Sequence, residues 1–214
     1  VNFDFRNMKE YLIAGAVLLI VLVILFNKAA LGGSEFVTAD SLSPKAIAQG
    51  IHLSEQETGE YPLWLPWIFS GLPSVHSFQN ISHYYLPNHI FTALKKMGMP
   101  WFWTYLFHYL LAGLGVYVLL RQIKLSKISA LFGGTAFMLT PYLITMIVFG
   151  HGSQMMTAAY IPWIFWALLK LKDQPDIFHA GLLGLLAGLQ LQRAHVQIAY
   201  YTWLMVGLYL LIRI

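Results

Sequence analysis

Cysteine is absent from all 214 residues, which excludes disulfides and thiolate-ligated metal sites. Charge is scarce: Asp, Glu, Lys and Arg make up 10% of the chain, against about a quarter in soluble domains. No Walker-type phosphate loop occurs, since Gly133-Gly134-Thr135 has neither the spacing nor the lysine. His52, His76, His83 and His89 show no compact metal-ligating pattern. Thirteen basic residues against nine acids give a net charge of +4, but the basic ones sit at the ends of apolar runs and form no stripe. A nucleic-acid partner is therefore not expected.

What fills the chain is apolar: 58% of it is hydrophobic and the mean hydropathy is +0.62. The runs approach the ~20 residues that cross a bilayer as a helix. Six spans are expected: 11–26, 101–120, 128–149, 157–171, 177–191 and 198–212. The fold class is thus an all-α integral membrane protein with about six transmembrane helices. The first run could also be read as a secretory leader ending near Ala30-Leu31-Gly32, but its length favours an uncleaved span. Pro141 and Pro162 fall inside expected helices and should bend them. Small residues at 113, 115, 133, 134, 181, 184 and 188 suggest close helix packing, Gly184 and Gly188 at GxxxG spacing.

Residues 28–100 form a long first loop joining the first span to the closely spaced later ones. With alternating spans, Arg6, Lys9, Arg121, Lys124, Lys127, Lys170, Lys172 and Arg213 gather on one side. The positive-inside rule makes that side cytoplasmic and the long loop external. In a bacterium this means an inner-membrane protein with the loop periplasmic or extracellular. The chain reads as one transmembrane module, 1–214, with 28–100 as an external subdomain. Its Val1 start and its end on a hydrophobic run suggest a portion of a longer protein. Within the loop, Pro44–Gln56 reads as a helix capped by Ser43, and Asn88–Met97 as a short amphipathic helix. The aromatic stretch 61–73 suits the water–lipid interface, with sugar stacking on Trp64 or Trp67 the alternative. Asn80-Ile81-Ser82 is a formal glycosylation sequon.

Polar groups collect on the external side: Asp40, then Gly150-His151-Gly152-Ser153-Gln154, then Gln192-Arg193-Ala194-His195-Val196-Gln197. Asp40 can take a hydroxyl proton or hold a divalent cation. Arg193, His151 and His195 suit a phosphate, and Gln154 and Gln197 could orient a sugar. Each has a plainer role: Asp40 in a turn or cap, His151 capping a helix, Arg193 reaching lipid headgroups. His108 is expected to pair with a neighbouring helix, and His179 to lie at the interface.

At these residues the sequence resembles the N-terminal part of the YfhO-like bacterial membrane proteins, which have a GT-C-type glycosyltransferase architecture. The resemblance rests on Asp40 after the first span and on Glu57-Thr-Gly-Glu60-Tyr-Pro-Leu-Trp64. It continues in Ile68-Phe-Ser-Gly-Leu-Pro73, Gly150-His151-Gly-Ser153 and His195-Val-Gln197-Ile-Ala-Tyr200-Tyr201. It implies sugar transfer on the external face from a polyprenyl-phosphate donor, with Asp40 as the catalytic carboxylate. Paired acids at that position are missing, since Ser41 and Leu42 follow Asp40, so a divalent cation stays an open cofactor. The expected function is a membrane glycosyltransferase-like protein acting on a cell-envelope acceptor. The alternative is a non-catalytic transmembrane subunit binding other membrane subunits. A transporter is disfavoured by the few charges within spans.

Overall fold

The structure, a computed structural model, describes residues 5–34, 36–74 and 85–213. Glu35, His76, His83 and the Asn80-Ile81-Ser82 sequon lie outside them. The described residues are mostly helical. Helix α1 spans Phe5–Leu25, α2 Asn27–Ala30, α3 Ala39–Thr58, α4 Leu86–Lys96 and α5 Trp103–Gln122. Then come α6 Lys127–Met138, α7 Pro141–Val148, α8 Gly152–Ala158, α9 Ile161–Asp173, α10 Ile177–Gln192 and α11 Val196–Arg213. A two-residue antiparallel ribbon pairs Trp64 with Pro73 and Leu65 with Leu72.

Three stretches are long and apolar enough to cross a membrane: Met8–Leu25, Trp103–Gln122 and Lys127–Val148. Outward faces of the bundle are apolar too, as at Leu12, Ile13 and Ile24 on α1. Such surface is costly in water and suits lipid. The mostly helical fold with three such stretches is compatible with an all-α membrane protein. Helix α10, with 16 residues, is about 24 Å long, short of a ~30 Å hydrocarbon core.

Both prolines act otherwise than expected. Pro141 opens α7, where its missing N–H would be unpaired anyway, and the Thr140 hydroxyl accepts the Leu143 N–H at 3.5 Å. The expected span 128–149 is therefore two helices, α6 and α7. Pro162 likewise lies in the first turn of α9, and the expected span 157–171 divides between α8 and α9. Pro44 departs in the other direction. It sits inside α3, which begins at Ala39, five residues before the expected start at Pro44, with Asp40 in the first turn.

The core is built where small residues let helices close. A side-chain carbon on Gly134 would stand 2.5 Å from the Gly113 carbonyl oxygen, so α5 and α6 meet backbone to backbone. Gly115 leaves room for the Trp163 indole, whose N–H donates to the Leu111 carbonyl at 2.8 Å. Gly181, Gly184 and Gly188 have no atom within 4 Å of where a side chain would start. The ridge expected to pack a neighbouring helix packs against none of the described residues.

At one end, Glu10 accepts hydrogen bonds from Tyr117 (2.9 Å) and Arg121 (2.6 Å), and Lys127 lies 2.7 Å from its other oxygen. One carboxylate thus holds the start of α1 to the end of α5 and the start of α6. Replacing Glu10 with Gln should lower the melting temperature. Adding Arg121→Met in that background should cost less than Arg121→Met alone, the coupling that a double-mutant cycle reads. At the other end, the Trp103 indole donates to the Ala30 carbonyl at 3.0 Å and fastens α2 to α5.

Candidate functional site

The turn between α7 and α8 shows how local sequence aims a side chain. Gly150 adopts φ +89°, a left-handed conformation that favours glycine. Its N–H donates to the Ile147 carbonyl at 3.2 Å, and the His151 N–H to Met146 at 2.6 Å. These two bonds are a Schellman stop for α7. Gly152 then makes space for the Tyr105 ring, 2.6 Å from where its side chain would begin. Held between the two glycines, His151 directs Nε2 to the Asp40 carboxylate at 3.3 Å. The long loop and the bundle meet at this pair, and both side chains remain open to solvent.

Beside the pair lies a cavity of about 370 Å³. Its walls include Lys45 from α3, Lys95 from α4, Trp101, Tyr105, and Gly150 and Gly152 on either side of His151. The Lys95 ammonium stands 5.5 Å from the centre of the Trp101 ring. The cavity therefore joins positive charge to flat aromatic surface next to a carboxylate–imidazole pair.

The remaining expected site residues have different surroundings. His195 precedes α11, and its Nδ1 accepts the Ile198 N–H at 3.4 Å. Burial pulls its pKa down, and His151 nearby adds to the effect. A histidine whose folded pKa is depressed favours folding in its neutral form. Stability should fall as pH drops through the ordinary histidine range near ~6.5, and thermal melts of His195→Asn should flatten that dependence. Gln197 is exposed and donates to the Tyr201 hydroxyl at 2.9 Å, one turn along its own helix. Gln154 is half-buried in α8. Arg193 is buried and lies 4.6 Å below the centre of the Tyr85 ring. Burial lowers its pKa, with Tyr85, Tyr160 and Tyr105 opposing that shift.

Around Tyr85 is a buried polar network that the sequence did not disclose. His108 Nδ1 lies 2.6 Å from the Thr104 carbonyl, which can only accept, so Nδ1 carries the proton. Nε2 then accepts the Tyr85 hydroxyl at 2.8 Å, and the Tyr160 hydroxyl bonds to Tyr85 in turn. His108 thus pairs with Tyr85, the residue that opens α4 inside the 28–100 stretch. The only signal in sequence is an imidazole in an apolar span, which needs a partner of some kind. Tyr85→Phe keeps the ring over Arg193 but strands His108 Nε2. A loss of about 1–3 kcal/mol is expected, read from the unfolding midpoint.

His179 bonds through Nδ1 to the Asp176 carboxylate at 2.8 Å, and its N–H is capped by the same group. Among the described residues, no group of three or more His, Asp or Glu side chains could hold a metal ion. Asp40 and His151 would offer a cation two protein ligands. Compared with family models, curated proteins and solved structures, the chain matches none.

Proposed function

We propose that this chain is the membrane module of a glycosyltransferase that takes a sugar from a polyprenyl-phosphate donor on the external face. The observation that carries the reading is the Asp40–His151 pair, 3.3 Å apart, beside a cavity with two lysines in its walls. Asp40 removes the proton from an acceptor hydroxyl, whose oxygen bonds to the anomeric carbon as the carbon–oxygen bond to phosphate breaks. The electron pair leaves with the polyprenyl phosphate, and Lys45 and Lys95 meet its charge. His151 orients the carboxylate, and Trp101 offers the sugar a face. Arg193 and His195, expected as phosphate ligands, and Gln154 and Gln197, expected to orient the sugar, are not among the residues lining that cavity, and the mechanism takes no step through them.

The same reading takes six membrane crossings, an N-terminus in the cytoplasm of a bacterial cell and an external long loop. Its support is that Glu10, Arg121 and Lys127 share one end of the bundle and Asp40 and His151 share another contact region. The kinship with YfhO-like proteins is part of the proposal. Transfer of radiolabelled sugar from a lipid-linked donor, assayed with the protein in membrane vesicles, tests it. No transfer from any polyprenyl-phosphate sugar by folded protein would refute it.

A second reading has its own observation. The outward ridge at Gly181, Gly184 and Gly188 suits a neighbouring membrane helix, as in a subunit that scaffolds an assembly.

A further inference from the structure

We propose that Arg193 is the centre of a binding site for a small inorganic anion, enclosed between Tyr85 and the turn from α10 to α11. Arg193 is 7% exposed, and its Nε and Nη1 have no hydrogen-bond partner among the described residues. Among the described residues no carboxylate pairs with it. Glu10 binds Arg121 and Lys127, Asp40 binds His151, Asp173 accepts from Gln122, and Asp176 binds His179. Glu55 is half-exposed on α3, and Glu57 and Glu60 are exposed at its end and just after it. The segment 75–84 preceding Tyr85 has no acidic residue in its sequence.

A guanidinium does not shed its proton at any physiological pH, and a buried ion without a counter-charge is strongly unfavourable. The Tyr85 ring offsets part of the lost hydration by its electron-rich face, but it supplies neither a negative charge nor acceptors for Nε and Nη1. No described residue supplies the missing charge, and an anion from solution does so. Arg193 is not among the residues lining the cavity beside Asp40, and its slight exposure suits a compact ion over a glycolipid headgroup. Chloride and inorganic phosphate share that chemistry. The site is independent of the transferase reading, since it uses neither Asp40 nor the lysine-lined cavity.

The test is a thermal melt of the whole protein in detergent at constant ionic strength, with gluconate replaced by chloride or by phosphate. Wild type should gain several degrees and the gain should grow with anion concentration, as binding to the folded state requires. Arg193→Gln should not respond, and in gluconate alone it should melt no lower than wild type, because it removes an unmatched charge. Line broadening of chloride-35 resonance by wild-type protein, or phosphate uptake in calorimetry, reads the same site without any variant. A response to chloride or to phosphate sustains the proposal and names the ion. Indifference of wild type to both salts overturns it, as does an equal response from Arg193→Gln. Stabilisation by anionic lipid nanodiscs and by neither salt overturns the small-ion assignment.

Discussion

Replacing Asp40 with Asn is expected to slow sugar transfer by about 10²–10⁴-fold, the usual contribution of a positioned general base. The substitution keeps the shape of the side chain and leaves an amide oxygen facing His151, but that oxygen cannot take a proton from the acceptor. Asp40 lies in the first turn of α3 with its side chain 62% exposed, so folding and membrane insertion should be unchanged. Matched expression and melting temperature with transfer lost would assign the defect to chemistry. His151→Gln should act more mildly, because it loosens the carboxylate without removing it, and should shift the pH profile of kcat more than KM. An Asp40→Asn protein that transfers sugar at the wild-type rate would remove the base from the mechanism, and the transferase reading would lose the observation that carries it.

Much of the fold was legible because lipid allows so few solutions. Apolar runs must be helices, and their boundaries at α1, α5, α10 and α11 fall within a few residues of expectation, save the start of α1, six residues early. Gly113 and Gly134 announced a close helix contact that α5 and α6 make. The glycine ridge on α10 carried the same local signal, yet it faces outward, since spacing gives a face and not its partner. Pro141 and Pro162 were visible as interruptions, but a proline that bends a helix and one that starts the next look alike without the caps. At the site, Asp40 and His151 could be placed on one side from topology, though their contact depends on the course of α3. The Tyr85–His108–Tyr160 network was not legible at all. It joins residues 23 and 75 positions apart, and no periodicity encodes such a pairing.

Gly134→Val should be among the most destabilising single changes in the bundle, and Gly184→Ala among the most benign. At Gly134 even the first side-chain carbon would press on a backbone carbonyl at 2.5 Å, and neither helix can yield without moving. Overpacking of this kind costs about 1–3 kcal/mol, and the branched valine adds atoms beyond the one that already clashes. At Gly184 none of the described residues lies within 4 Å, so alanine meets open space among them. There the substitution should be neutral or stabilising, by at most about 1 kcal/mol, through the helix propensity gained. Melting curves of the two variants in detergent check both signs. The second also decides between the functional readings. If another membrane subunit packs on the ridge, a methyl group at Gly184 pushes it away, so Gly184→Ala should weaken the assembly while leaving the isolated chain as stable as before. A variant that assembles and melts like wild type would leave the ridge facing lipid and count against the scaffold reading.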